Sequence, residues 1–312
     1  MHSEPFVKFR PVFKDYLWGG AKLKALYGAG MTPVAEAWLL SAHRDGESVA
    51  AEGRFAGRTL REYLAAEDSE TGDAPFPILI KMIDAAQKLS VQVHPDNEYA
   101  RVHEGDSGKN EMWIVLEAEP DAYLYVGFQR ETSKAEVRRR VEDGSIETIL
   151  NKIPTHAGDI VYIPAGTVHA IGAGNLILEV QQSSNATYRL YDYQRKGADG
   201  KLRPLHLDKA LDVLDYRQYQ GGNPSAGRAA QCEYFSVRWL AAAGSLTLPM
   251  ADDPFASVVC VRGEGSLARD GKQTSLRRGD SLYLPAGSAP AEITGDAEVI
   301  VTRAAVLPAK AE

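Results

Sequence analysis

Through most of the chain, apolar and polar residues alternate in short stretches rich in Val, Ile, Leu and Tyr, punctuated by Gly, Pro and Asp. A two-residue period predicts strands that bury one face. Helical spacing is confined to three short segments: RTLREYLAAE (Arg58 to Glu67), ETSKAEVRRRVEDG (Glu131 to Gly144) and LHLDKALDVLDY (Leu205 to Tyr216). The expectation is a mainly β protein with a few short helices. One β unit occurs twice. GDIVYIPAGTVH, from Gly158 to His169, has an echo in GDSLYLPAGSAP, from Gly279 to Pro290. Each copy reads as a turn, an alternating strand and a Pro-x-Gly turn. RGEGSLARDGK precedes the second copy as a hairpin would.

Two copies of one β unit imply two similar β-barrel modules. The Gly- and Pro-rich stretch QGGNPSAGRAA places the boundary, giving domains at 1–221 and 222–312, with LHLDKALDVLDY closing the first. The copies part at their last position, where the first has His169 and the second Pro290. Only the first can supply an imidazole there. The second is expected to bind no metal and to bury apolar surface.

Composition narrows the function classes. A length of 312 residues suits about two domains, and the 28 Gly and 16 Pro fit a turn-rich β protein. A net charge of −7 argues against a nucleic-acid partner but not against an anionic small molecule held by a few basic side chains. The densest basic run, Lys134 with Arg138, Arg139 and Arg140, is interleaved with acids and reads as a solvated helix face. No apolar run approaches the roughly 18 residues of a membrane span, and the first residues lack a signal-like layout. No membrane partner and a cytoplasmic location are therefore expected. Cys232 and Cys260 are too few for a disulfide framework and read as core residues.

The chemistry concentrates in LSVQVHPDNEYA, where alternation on a strand turns Gln92 and His94 to one face and Val91 and Val93 to the other. A barrel interior is normally apolar, so polar side chains facing it need partners or a metal. Glu111 opens a second apolar strand in GKNEMWIVLEAEPDAYLYVGF, and His169 follows the Pro-x-Gly turn of the repeat. Gln92, His94, Glu111 and His169 form a plausible nitrogen and oxygen ligand set for one divalent cation, with a position left for substrate or water. The alternative for Gln92 and His94 is a buried hydrogen-bonded pair. His43, His103, His156 and His206 read as structural histidines.

GDIVYIPAGTVH has the G-x5-P-x-G-x2-H form of the second cupin motif, and LSVQVHPD with GKNEMWIV resembles the LSIQVHPD and GKTE-W segments of type I phosphomannose isomerases. YLWGGAKL, AEAWLLSAH and LEVQQSSNATYRLYDYQR resemble further segments of that family, so the likeness runs from about residue 9 to 215. It implies two cupin, or jelly-roll-like, barrels of the bacterial short form, the second degenerate. It places Gln92, His94, Glu111 and His169 on the family's metal-ligand positions, usually filled by Zn²⁺. Lys109, Glu179, Arg189 and Lys88 fall on its catalytic positions. Ala35, Leu39 and Asn185 depart from the family pattern and touch the pocket wall rather than the ligand set.

The implied reaction moves a proton between C1 and C2 of a phosphorylated hexose, mannose 6-phosphate to fructose 6-phosphate, through an enediol or enediolate. The cation and Arg189 would meet the developing oxyanion. Glu179 is the leading base if burial raises its pKa, and Lys109 is a rival. Each of these four catalytic candidates also has a structural alternative as an outward-facing or ion-paired residue. The phosphate clamp is not legible; Arg195 and Lys196 are its candidates. A redox-metal cupin and a non-catalytic sugar-binding cupin remain as alternatives, and the expected assembly is a monomer or homodimer.

Overall fold

The structure, a computed structural model, describes residues 4–67, 76–197, 200–221, 227–250, 254–287 and 289–305. The chain forms two compact units. Met1–Val12, Trp38–Lys81 and Gly227–Glu312 make a terminal unit, and Phe13–Ala37 with Met82–Ala226 make an inner unit. The cut expected at residue 222 lies outside the described residues, and the observed division differs from a single cut because two early segments join the C-terminal strands.

The reason lies in strand pairing and aromatic packing. Val7–Arg10 pairs antiparallel with Ser281–Pro285, Val7 facing Tyr283, and also with Val49–Ala50. They belong to an eight-stranded sheet ordered Ala229–Gln231, Phe235–Leu248, Ala291–Ala304, Phe255–Arg269, Ser281–Pro285, Val7–Arg10 and Val49–Ala50, with Lys272–Arg277 paired to Phe255–Arg269. One face of this sheet builds an aliphatic core from Ala256, Val258, Cys260, Leu282, Leu284, Val299 and Val301. Residues at alternate positions bury the other face: Tyr283 lies 5.3 Å from Phe255 and 5.7 Å from Tyr63, and Tyr63 lies 4.9 Å from Phe55. Tyr63 is carried by the helix Leu60–Ala66. Thr59 and Glu62 close a reciprocal capping box at its start, worth about 1 kcal/mol.

In the inner unit, one sheet runs Leu150–Pro154, Tyr123–Phe128, His169–Ile171, Val91–Val93 and Tyr188–Tyr191. The other runs Ile160–Ile163, Glu111–Ala118 and Asn175–Gln182. The expected barrels thus take the form of separately hydrogen-bonded sheets. Val91, Val93, Val168, Ala170, Tyr188 and Leu190 point from the first sheet into a core completed by Val137 and Val141 of the helix Lys134–Glu142 and by Ala210 and Leu211 of the helix Leu207–Val213. On the opposite face Leu124, Val126 and Ile171 pack with Trp113, Ile163 and Ile177 of the second sheet.

Three smaller expectations change. Lys134 and Arg138 bridge to Asp212 and Asp208, each at 2.6 Å, so this basic run ties two helices together rather than merely meeting solvent. Cys260 is buried, and burial first of all pushes its thiol up to about 11, but Cys232 is only half-buried. Leu39 is fully buried in its strand, where an apolar side chain packs and reaches no solvent. Among the described residues, no helix is long and apolar enough to cross a membrane.

Candidate metal centre

Register places the site. His169 and Arg189 lie directly opposite Gln92 on its two neighbouring strands. Directly paired residues share a face, so His169, Gln92 and Arg189 form one row, while Val91 and Val93 turn away towards the helices. On the other sheet Glu111 pairs with Ile163 and Gln181, and Trp113 pairs with Val161 and Glu179. Glu111 and Trp113 are two residues apart and share a face, so Glu179 joins them. His94 follows its strand directly, and its carbonyl accepts the Gly166 N–H of the Pro-x-Gly turn at 2.9 Å. Gly108, before Lys109, has to be glycine: a Cβ there would stand 2.4 Å from the Asn97 nitrogen.

Both histidines are fixed as the same tautomer. His94 Nδ1 lies 2.9 Å from the Ala186 carbonyl and His169 Nδ1 lies 2.8 Å from the Thr167 carbonyl, so each Nδ1 carries a proton to donate. In the neutral ring, Nε2 is then left with a lone pair. The two Nε2 atoms are 3.1 Å apart, and the Glu111 carboxylate lies 3.0 Å from one and 3.7 Å from the other. Three acceptors converge here with no proton of their own to share, and the Lys109 ammonium, beside His94 Nε2 and Glu111, brings positive charge to two of them. All three are at most 1% exposed, their ligand atoms lie within 4.8 Å of one another, and neither Glu111 oxygen accepts a regular hydrogen bond. Gln92 Nε2 is 3.3 Å from His169 Nε2, at the edge of the same cluster. Two imidazole nitrogens and a carboxylate form a donor set that fits a divalent cation of intermediate softness, which the Gln92 amide joins when its Oε1 rather than its Nε2 faces inward.

The electrostatics support a cation site. Burial pushes His169 down to about 3, and the neighbouring His94 adds to the shift. Burial, followed by the Lys109 charge, also lowers His94, so both imidazoles stay neutral ligands. Burial works to raise Glu111, but the Lys109 ammonium outweighs it and holds the carboxyl well below the usual range.

The structure brings most of the other candidates to the same place. Lys109 Nζ lies 3.1 Å from His94 Nε2, is paired with Glu111 and is 4.0 Å from Glu179 Oε1. Glu179 is buried, and its Oε2 accepts the Trp113 indole N–H at 2.8 Å. Arg189 is half-buried on the row of Gln92, donates through Nη1 to the Pro204 carbonyl at 2.9 Å, and keeps a buried Nε without a partner. Burial first, then the charge of Arg203, lowers its pKa. Lys88 is placed elsewhere, paired with Glu147 at 3.1 Å and stacked 3.6 Å over the Tyr193 ring. Arg195 pairs with Asp192, and its buried Nε has no partner; Lys196 is exposed.

Sequence reasoning missed Trp113, Asp192 and Arg203. Trp113 was visible as the tryptophan of GKNEMW, two residues beyond Glu111. Asp192 accepts from Arg203 at 2.6 Å and pairs with Arg195, so it organises a cationic corner from residues eleven or fewer positions apart. Nothing in the spacing marked Arg203, because it arrives from a turn with no periodic pattern.

Models of two families match in order along the chain: the phosphomannose isomerase type I catalytic domain over residues 6–124, and the mannose-6-phosphate isomerase cupin domain over 226–304. Mannose-6-phosphate isomerase ManA of Bacillus subtilis (strain 168) is 38% identical over 97% of this chain and 99% of its own length. The crystal structure of the mannose 6-phosphate isomerase from Bacillus subtilis superposes with a TM-score of 0.88, at 33% identity, over 96% of this chain and 99% of that one. A zinc-bound mannose 6-phosphate isomerase shares the fold at a TM-score of 0.73 and 17% identity, over 97% of this chain and 100% of that one. The paired motifs around the buried His-Glu-His cluster, carried over nearly the whole length of such relatives, place this chain in the type I phosphomannose isomerase family.

Proposed function

We propose that the buried site holds one Zn²⁺ and interconverts mannose 6-phosphate and fructose 6-phosphate through an enediol or enediolate. The carrying observation is the convergence of the two Nε2 lone pairs with the Glu111 carboxylate, 3.0 and 3.7 Å away, beside Lys109 and Glu179. The relatives named for this reaction, one solved with zinc, support the choice of substrate and metal.

His94, Glu111, His169 and Gln92 would hold the ion, which supplies Lewis acidity towards the sugar oxygens when bound. Aldose–ketose exchange requires a proton to leave one carbon and return to its neighbour. Glu179 is suited to carry it, because an indole N–H can only donate and so fixes Oε2 as an acceptor, turning Oε1 towards Lys109. Lys109 moves or holds the proton exchanged between the oxygens at C1 and C2. Arg189 offers its guanidinium to the developing oxyanion from the row beside Gln92. Phosphate falls to Arg195, whose unpartnered Nε and Asp192-held geometry leave a preorganised charge. Lys88, committed to Glu147 and Tyr193, shapes the wall rather than the reaction.

The test is a coupled assay for conversion of mannose 6-phosphate on metal-loaded and chelator-treated protein, with His94→Ala alongside. Activity lost on chelation, restored by Zn²⁺ and absent from His94→Ala is expected. Stoichiometric zinc without turnover would assign the pocket to another sugar or to binding alone.

A further inference from the structure

We infer that Asn110, which contributes no atom to the metal cluster, is the positioning residue that sets the mutual geometry of its ligands. The inference rests on the metal reading of the site. Asn110 lies between Lys109 and Glu111 and is buried, as is Gln182. Its backbone N–H and its Nδ2 both donate to Gln182 Oε1, at 3.1 and 2.7 Å. Its Oδ1 accepts the Ala165 N–H and the Tyr162 hydroxyl, each at 3.0 Å. Gln182 Nε2 in turn donates to Asn97 Oδ1 at 3.0 Å, which also accepts the Gly108 N–H at 2.9 Å. Backbone N–H groups can only donate, so Ala165 and Asn110 themselves fix which end of each amide is oxygen.

These bonds join three segments that are far apart in sequence. Asn97 follows His94 by three residues, Asn110 precedes Glu111, and Ala165 opens the turn that ends at His169. One side chain therefore links the approaches to all three ligands, and the link runs through buried amides whose loss leaves N–H and C=O groups unsatisfied at about 1–3 kcal/mol each. Partners of this kind orient ligands, and their removal typically weakens metal binding 10- to 100-fold.

The experiment measures the dissociation constants of Zn²⁺ and Co²⁺ by chelator competition on the full chain, with the visible spectrum of the Co²⁺ form and the thermal midpoint of the stripped protein. Asn110→Ala is expected to weaken both ions 10- to 100-fold and to alter the Co²⁺ spectrum. Asn110→Asp guards against a folding failure, since it keeps the shape and Oδ1 but loses the donor to Gln182. Its new negative charge would by itself tighten cation binding, so weaker binding there reads geometry rather than charge. Variants that bind within twofold of the wild type with an unchanged spectrum, whatever their thermal midpoints, would overturn the inference and leave the metal reading intact. A wild type that takes up neither ion would overturn the metal reading and the inference with it.

Discussion

The two copies of the G-D-x-x-Y-x-P-A-G unit carry interiors of opposite character. Around the first, Gln92, His94, Lys109, Glu111, His169 and Glu179 face one another. Around the second, Val258, Cys260, Leu282, Leu284, Val299 and Val301 fill the space. The Pro-x-Gly turns are also secured differently. Asn110 and the His94 carbonyl bind the first, so that turn is tied to the segments that carry His94 and Glu111. In the second, Arg269 donates to the carbonyls of Pro285, Gly287 and Ala289, at 2.8, 3.2 and 3.0 Å, and a Cβ on Gly287 would meet the guanidinium at 2.8 Å. The same strand and turn thus serve catalysis or packing, and a handful of inward positions decide which. Converging charges cost several kcal/mol per ion to desolvate, so a polar interior persists where a bound ion and the chemistry return that energy.

The contrast can be broken most severely by giving the first interior the character of the second. His169→Leu, or stripping with a chelator, should remove several kcal/mol of transition-state stabilisation, about a 10⁴-fold fall in turnover, with only the stripped wild type recovering on Zn²⁺ addition. Glu179→Gln should lower kcat by about 10²-fold or more while KM and bound zinc change little, as steady-state kinetics and metal analysis would show. Leu284→Ala tests the packed interior, with an expected loss of about 2–5 kcal/mol in chemical denaturation and unchanged metal stoichiometry. The smallest effect is expected from Pro290→His: one imidazole at an exposed position creates no donor set, so metal analysis should still find one ion per chain.

Much of this was legible in sequence because it depends on period and local order. Alternation at Val91, Gln92 and Val93 sorted the two faces of that strand, and helical spacing marked RTLREYLAAE, where Leu60–Ala66 is a helix. Gln92 could be listed because it interrupts an apolar strand, whereas Lys109, Glu179 and Arg189 came from the resemblance to the family's motifs. Long-range pairing carries no such mark. The union of Val7–Arg10 with Ser281–Pro285 brings together residues over two hundred and seventy positions apart, and nothing local distinguishes the strand that finds it. The fate of Lys88 was hidden for the same reason, since Glu147 and Tyr193 reach it from distant segments. The Asn110 network was invisible too, because an asparagine beside a glutamate reads as a turn residue until its partners are known.

The division of the chain has a consequence for the order of synthesis. Every segment of the inner unit has been made by Ala226, but the sheet of the terminal unit places Ala291–Ala304 between Phe235–Leu248 and Phe255–Arg269. Among the strands of that sheet, a central one is thus the last to be made. Until Ser281–Pro285 is made, Val7–Arg10 has only Val49–Ala50 beside it, and its other edge is open to the aggregation that unpaired edges invite.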